Sequence, residues 1–486
     1  MGFKILIKGA GGIVFHAIAL CHMRFTIKLV IDDGGKSETV EEIIQLEKDT
    51  ENCSSLGISL VESRHLMKIL QNKIILQQSK MHLESQKICQ CCHKKRRIKG
   101  YHSLQYRTLF GIVNIPSLRL FYCKCDQSTE KTFSPLNQWL PDKNSPELKY
   151  IETKWASLIS FSQTANLLKD VLPVGETENA ATIRNHLHAI AKRQEKELEG
   201  KPEYISVCQN ELDKLPKPDK PITVGIDGGY LKKWHKKNKN FEIIAGKSFS
   251  ATKPARRFGL VQSIDDHPRR RLMHVLTQQG MQANQQIHFL SDGADNVRDL
   301  QYMMYPESEH ILDWFHITMR LTVLNQFAKG LIKSDTSQGK EVKKYLESIK
   351  WFLWHGNVEK ALSNIEDCYI ICIDDEELKY RNRKKLENHL DELNTYIENN
   401  CHLIPNYGER WRYGEAISTG FVESTINEVV AKRMVKKQQM QWTQKGAHYM
   451  IQTRTAVLND ELHKNFSRWY PGFTVKSKGL KMGKVA

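Results

Sequence analysis

Two carboxylates in this chain stand where an apolar run stops. Asp227 follows Ile222-Thr223-Val224-Gly225-Ile226, and Asp292 lies just past Ile287-His288-Phe289-Leu290. Each is followed by glycine, which lets the backbone turn sharply and lets a ligand come close. Taken singly, either Asp-Gly pair reads as a hairpin turn. Taken together they read differently, because the second strand leads into a helix and a third carboxylate, Glu423, sits at the start of a later helix. Neighbouring strand ends in an open α/β sheet bring such groups into one crevice. Crowded carboxylates raise one another's pKa unless cations neutralise them. Hard divalent ions do so, Mg²⁺ being the usual choice beside phosphates. Two such ions about 3.5–4 Å apart clamp the attacking and leaving oxygens of an in-line phosphoryl displacement.

A second chemistry lies nearer the N-terminus. Eleven cysteines are present, and Cys89, Cys91, Cys92, Cys123 and Cys125 share one short stretch. Cys89-x-x-Cys92 and Cys123-x-Cys125 flank a β-rich segment, Tyr101 to Tyr122, whose alternation suits a hairpin carrying both cysteine pairs together. Paired thiolates on tight turns are what a structural zinc ion takes, so a zinc ribbon on Cys89, Cys92, Cys123 and Cys125 is expected in a reducing compartment. The rival is four reduced thiols without metal, and Cys91 or His93 could exchange into the ligand set. Lys94-Lys95-Arg96-Arg97 and Lys99 beside the first pair are either a solvated face or a phosphate contact. Cys208, Cys368, Cys372 and Cys401 read as isolated buried thiols.

Around these residues the chain divides by texture. Residues 1–22 read as a doubtful N-terminal extension; their apolar run mimics a weak signal peptide, and Gly9, Gly11 and Gly12 lack the spacing of a dinucleotide fingerprint. Residues 23–87 read as a strand (Phe25–Ile31), a turn (Asp32–Gly35) and helices, the first over Thr39–Lys48. Residues 88–147 form the zinc-ribbon-like module. Residues 148–200 are helical, either a helix-turn-helix with the third helix as reader or a plain small bundle. Residues 201–221, with four prolines, make a linker. Strands then dominate 222–317: Ile222–Ile226, Phe241–Phe249, Phe258–Ile264, Met273–Leu276, Ile287–Leu290 and His310–Leu312. A charged helical stretch covers 318–412, a segment with the Glu423 helix covers 413–470, and 471–486 is a basic tail.

Lys plus Arg number 72 against 55 Asp plus Glu, a net charge of +17 that favours a polyanionic partner. Hydrophobic residues at 40% argue for a globular chain rather than a disordered one, and no apolar run approaches the roughly 20 residues of a membrane span.

The ordered set Val224-Gly225-Ile226-Asp227-Gly228-Gly229, Leu290-Ser291-Asp292-Gly293-Ala294, Ile311-Leu312-Asp313-Trp314-Phe315-His316 and Gly420-Phe421-Val422-Glu423-Ser424 resembles bacterial insertion-sequence transposases of the DDE type. The nearest group is the Kra-type, related to the Mutator-like transposases. Lys432-Arg433-Met434, Met440-Gln441-Trp442-Thr443 and Arg454-Thr455-Ala456 extend the likeness, which runs from about Met23 to Leu462. The resemblance implies an α/β ribonuclease-H-like catalytic core interrupted by an all-helical insertion, preceded by zinc-ribbon and helical DNA-binding modules. It implies Asp227, Asp292 and Glu423 as catalytic ligands of two Mg²⁺ (or Mn²⁺) ions, with Asp295 a neighbouring rival to Asp292. It further implies a substrate of terminal inverted repeats and target DNA, a homo-oligomer on DNA ends, no membrane, and a bacterial, nucleoid-associated cytoplasmic location. Asp313 and His316 match an Asp-x-x-His element, expected to support the site or touch DNA, with a buried structural histidine as the rival. Trp442 and Arg433 are candidates for the same role, Trp442 by stacking on an unpaired base or else as core. Lys232, Lys233, Lys236, Lys237 and Lys239, with Arg256, Arg257, Arg269, Arg270 and Arg271, are read as basic surface or solvated loop. A catalytically inactive DNA-binding derivative and a structure-selective nuclease with the same core remain as alternatives.

Overall fold

The computed structural model describes residues 3–8, 22–32, 38–49, 53, 56–204, 208–216, 218, 220–235, 239–250, 253–373, 380–418, 420–435 and 440–474; the side chains of residues 3–8, 22, 49, 209, 373 and 421–423 also lie outside this description. The expected turn at Asp33–Gly35, Lys236, Lys237, parts of the linker and most of the basic tail lie outside the described residues. The fold is mixed α/β in two compact units, Met1–Leu187 with Leu462–Ala486, and His188–Glu461.

The first unit opens with an antiparallel sheet of β1 (Phe3–Lys8), β2 (His22–Asp32) and β3 (Glu38–Asp49). The helix expected over Thr39–Lys48 is therefore a strand. Ile27 pairs with Ile44 and Lys28 with Glu42, which leaves Ile43 as a bulge. The extra residue reverses the side-chain alternation, so Ile43 and Leu46 are both buried although three positions apart, a spacing that imitates a helix. Helix α1 (Leu60–Gln86) starts on a Ser59–Glu62 capping box. It packs on β5 (Gly111–Phe121), which pairs with β4 (Ile98–Thr108) and the short β6 (Thr132–Phe133). Leu104, Val113, Ile115, Leu120 and Phe133 form the core of that sheet, followed by α2 (Pro135–Trp139). Next come α3 (Pro146–Ala156), α4 (Phe161–Val171) and α5 (Ala180–Glu199), each of the first two entered through a serine cap; the part of α5 from His188 onward belongs to the second unit. The last helix, Leu462–Trp469, belongs to this unit: Phe466 is fully buried and meets Tyr150 of α3 edge-on at 5.4 Å.

After the short α6 (Gln209–Leu212), the second unit is built on five strands: β7 (Ile222–Lys232), β8 (Asn240–Phe249), β9 (Arg256–Leu260), β10 (Ile287–Ser291) and β11 (Glu309–Leu312). Their order is β11-β10-β7-β8-β9; β7, β8 and β9 run antiparallel, and β10 and β11 run parallel to β7. Helices α7 (Pro268–Gln278) and α8 (Asp295–Met304) bury Leu272, Leu276, Val297 and Leu300 against Val224, Ile226, Phe258 and Phe289. The strand expected at Met273–Leu276 is thus part of α7. Pro268 opens that helix, and its buried positions Leu272, Met273, Val275 and Leu276 follow a helical period.

Beyond β11 the chain is helical: α9 (Trp314–Ser334), α10 (Thr336–Trp354), α11 (Val358–Ile373), α12 (Arg383–Asn399) and α13 (Tyr407–Arg412). Leu321, Leu331, Leu346, Leu353, Leu390 and Leu393 make them one core, continuous with Leu290 and Leu312 of the sheet. Cys368 and Cys372 are buried there, whereas Cys208 and Cys401 are exposed, against the expectation of burial. Then α14 (Gly420–Ile426) runs into a π-helical segment, Asn427–Val435, and α15 (Gln444–Leu458) packs on β9. Among the described residues no helix is long and apolar enough to cross a membrane.

Candidate active site and metal centre

Strand register decides which acids meet. Leu290 pairs with Gly225 across β10 and β7, and Ser291 pairs with Leu312 across β10 and β11. Continued past the last paired residues, the rows bring Asp227, Asp292 and Asp313 level on three adjacent parallel strands, where side chains share a face. The Asp313 amide donates to the Ser291 carbonyl at 2.8 Å and holds the end of that row. Burial, then the Asp292 charge, pushes the Asp227 carboxyl up to about 6; Asp313 adds to this and His316 opposes it.

Asp227 does not end its strand. β7 continues through Gly228 and Gly229 to Lys232, and Asp227 pairs with Ala245. The two glycines lie within the strand rather than in a turn: a Cβ on Gly229 would make an ordinary contact with Ile426 Cγ2 at 3.6 Å, and one on Gly228 would lie 3.2 Å from Glu242 Oε1. Ile426 closes α14, which packs on β7 and β8 and carries Glu423 one turn earlier. The Glu423 side chain lies outside the described residues.

Asp292 is fixed from both sides. Its Oδ1 accepts from the Ala294 amide at 3.0 Å, and the Tyr396 hydroxyl donates to its carbonyl at 3.0 Å. Gly293 has φ of 82°, and a Cβ there would come within 2.3 Å of Asn400 Oδ1, so glycine is needed twice over. Asp295, the alternative ligand, is exposed on the first turn of α8 and carries no such fixing contacts among the described bonds. Asp313 is fully buried and caps α9 by accepting from the Phe315 amide at 2.8 Å, with His316 Nε2 3.6 Å from its Oδ2. Glu242 on β8 went unnoticed in the sequence. It accepts from the Asn296 side-chain amide, and burial followed by Asp292 pushes its carboxyl up. A lone glutamate in a strand reads as a solvated position; only the Gly228 gap and α8 turn it toward the acids.

The remaining candidates are described by their burial and pairing. Trp442 is buried in the core: its amide donates to Lys232 O at 3.0 Å, its indole N–H donates to Met434 O at 3.3 Å, and the Arg433 guanidinium covers its ring at 5.5 Å. Arg433 is fully buried as well, and Trp442 takes the core position that its sequence reading also allowed. Arg256 pairs with Glu461, Arg257 with Glu428 and Arg270 with Glu203, each at 2.8 Å, and Arg269 covers the Tyr204 ring, so these side chains hold the fold together rather than form a basic surface. Arg271 is buried between Asp265 and Glu195, at 2.7 and 2.9 Å.

Two groupings of metal-type ligand atoms lie within 4.8 Å of one another among the described residues: Cys89, Cys92, Cys123 and Cys125, and Glu195, Asp265 and His448. In the second, the Arg271 guanidinium already supplies the positive charge. The first fits zinc. Cys92 Sγ is 3.4 Å from Cys123 Sγ, which is 3.7 Å from Cys125 Sγ. A tetrahedron with Zn–S of about 2.3 Å has edges of about 3.8 Å. His93, at φ 57°, closes the first turn, and its amide donates to Cys89 O at 2.9 Å. Asp126 closes the second by accepting from the Cys123 amide at 2.6 Å while holding Arg96. Hydrogen bonds from the Cys125 backbone and the Cys92 thiol bring the Cys123 thiol down to about 7, and the Cys92 and Cys123 thiols push Cys125 up. Such a set cannot ionise together without a cation. Cys91 is exposed and outside the cluster. Of the adjacent basic run, Arg96 is held by Asp126 and Arg97 covers the Phe121 ring at 5.3 Å, while Lys94, Lys95 and Lys99 are exposed.

No protein-family model matches the chain, and a search among curated proteins also returns no match.

Proposed function

We propose that this protein is a DDE transposase of the bacterial insertion-sequence type, cutting DNA at element ends and joining them to target DNA. The observation that carries the reading is the level row Asp227, Asp292 and Asp313, with the helix of Glu423 laid over β7 and β8. The sheet order β9-β8-β7-β10-β11 and the helical stretch between β11 and α14 support a ribonuclease-H-like core with an all-helical insertion.

Asp227, Asp292 and Glu423 would hold two Mg²⁺ or Mn²⁺ ions. The donors are hard oxygens, and burial followed by repulsion from Asp292 lifts the Asp227 carboxyl, a cost that a bound cation relieves. When bound, the ions activate the attacking oxygen and stabilise charge on the scissile phosphate. In the first step a water oxygen bonds to phosphorus, the P–O3′ bond breaks, and the freed 3′ oxygen takes a proton. In the second, that 3′-hydroxyl bonds to a target phosphorus and the target P–O3′ bond breaks. Asp313, buried under His316, holds the start of α9 and the end of β11, and Tyr396 and Asn296 fix Asp292 and Glu242 in place. The zinc module and α3–α5 would bind the terminal inverted repeats, with the exposed Lys94, Lys95 and Lys99 as phosphate contacts, in a homo-oligomer on two DNA ends in the bacterial cytoplasm.

Asp292→Ala should abolish Mg²⁺-dependent nicking of end-bearing DNA, because a metal ligand is lost, while leaving duplex binding intact. Full nicking activity in that variant rejects the assignment. Cutting without joining in a strand-transfer assay would indicate a nuclease, and binding without cutting in the unaltered protein an inactive derivative.

A further inference from the structure

Asp313 caps α9, and the helix that leaves it carries His316 and Arg320 on one side, about one turn of 5.4 Å apart. His316 belongs to the aspartates: its Nε2 is 3.6 Å from Asp313 Oδ2, and its charge opposes the rise of the Asp227 carboxyl. Arg320 is tied to the same place by a second route. Its guanidinium lies over the Tyr396 ring of α12 at 4.2 Å, and the Tyr396 hydroxyl donates to the Asp292 carbonyl at 3.0 Å. Burial, then Asp292, pushes the Tyr396 hydroxyl up while Arg320 opposes, so this side chain keeps its proton for that bond and feels both groups at once. The start of α9 and the Tyr396 ring thus hold a cation one turn along the helix from the acids.

What sets Arg320 apart is that its donors meet no oxygen. Other half-buried arginines of this unit hold carboxylates: Arg257 holds Glu428, Arg383 holds Glu387, and Arg410 holds Glu309 and Glu415. Among the described residues the half-buried Arg320 guanidinium makes no hydrogen bond or ion pair, and the Tyr396 ring is its contact. An arginine serving only to neutralise the aspartates would touch one. This one stops short of them and keeps a planar fork of five N–H donors unused. A cation so held, beside acids that themselves call for cations, fits an anion arriving between the two, and its fork matches two oxygens of one phosphate. We infer that Arg320 is a further substrate-binding residue of the proposed reaction: its guanidinium takes the non-bridging oxygens of a phosphate next to the scissile one, and so sets the register of that strand on the acids. The inference rests on the transposase reading for its substrate. Tyr396 then serves at both ends, fixing Asp292 through its hydroxyl and seating Arg320 on its ring, which keeps the acid and the phosphate clamp at a constant spacing.

The test places a single methylphosphonate, which removes one phosphate charge, at each phosphate in turn around the end of an end-bearing duplex. Binding and single-turnover nicking with Mg²⁺ are followed on full-length protein, unaltered or carrying Arg320→Met or Arg320→Lys. In the unaltered protein one position beside the scissile phosphate should weaken binding and nicking about tenfold, the worth of one charged hydrogen bond. Arg320→Met should lose that factor on ordinary DNA and lose nothing more from that methylphosphonate, while the other positions cost it what they cost the unaltered protein. Arg320→Lys keeps the charge but not the fork and should recover part of the loss. If Arg320 only supports Tyr396, Arg320→Met slows nicking by one factor on every substrate and each methylphosphonate keeps its full effect. That pattern, or an Arg320→Met protein that binds and nicks like the unaltered one, overturns the inference. The selective loss of one methylphosphonate effect in binding, in a protein that never nicks, upholds the phosphate clamp and overturns the transposase reading instead. No binding of the duplex by the unaltered protein overturns both.

Discussion

At the scale of single residues, the acids of this protein fall into two kinds. Asp227 and Glu242 are half-buried and lie near the charge of Asp292. Glu178 is 4% exposed and faces Glu152, His186 and Arg107. Burial first, then Glu152, pushes its carboxyl up to about 7. A carboxyl raised in the folded state keeps a proton that the unfolded chain has released. Stability is then whole below the ordinary value of 4.5 and is lost as pH rises through about 7. Glu178→Gln should therefore melt close to the unaltered protein at pH 5 and about 5 °C higher at pH 8. Melting curves with parallel pH slopes would contradict this. Asp227 and Asp292 were legible in the sequence because an apolar run broken by Asp-Gly is a local signal. Glu242 was not, because its role depends on strand pairing and on Asn296 from another element.

At the scale of elements, the cysteine module shows what local spacing can and cannot carry. Two close pairs across a hairpin length were enough to choose four of the five cysteines. Their geometry predicts one zinc per chain, lost on strong chelation or in Cys92→Ser, as metal analysis would show. The β4–β5–β6 core is apolar in its own right. Metal loss should accordingly loosen the two turns and lower the melting temperature by a few degrees without unfolding the sheet; unchanged zinc content in Cys92→Ser would remove the site. Two elements were misread for opposite reasons. The bulge at Ile43 gave β3 a false helical spacing, and the short apolar run Met273–Leu276 hid the period of α7. Asp-Gly-Gly at the end of Ile222–Ile226 looked like a turn, yet β7 runs on because β8 pairs with it to Lys232.

At the scale of the whole molecule, the second unit holds the aspartate row and the first holds the four clustered cysteines Cys89, Cys92, Cys123 and Cys125. The helix Leu462–Trp469 returns to the first unit, where the sequence placed it with the Glu423 segment. Phe466→Ala should cost that unit about 3–5 kcal/mol. Hydrogen exchange would show it as faster exchange of β4 and β5 amides with β7 and β10 unchanged, and the reverse pattern would assign the helix elsewhere. The positive charge of the chain also divides: Arg256, Arg257, Arg270 and Arg271 are spent on internal ion pairs, while Lys340, Lys343 and Lys344 line an open depression.

Sequence alone determined what is written in adjacent residues: the thiol pairs, the apolar strands, the glycines after Asp227 and Asp292, and the excess of cations. The tertiary structure decided everything that depends on register and burial. It brought Asp313 level with the other two aspartates, turned Glu242 inward, and buried Trp442 and Arg433. It also left Trp351 and Trp411 in water. The physical reason is that an apolar pattern fixes whether a segment is buried, whereas which distant segment lies against it is set by pairing and packing across the chain.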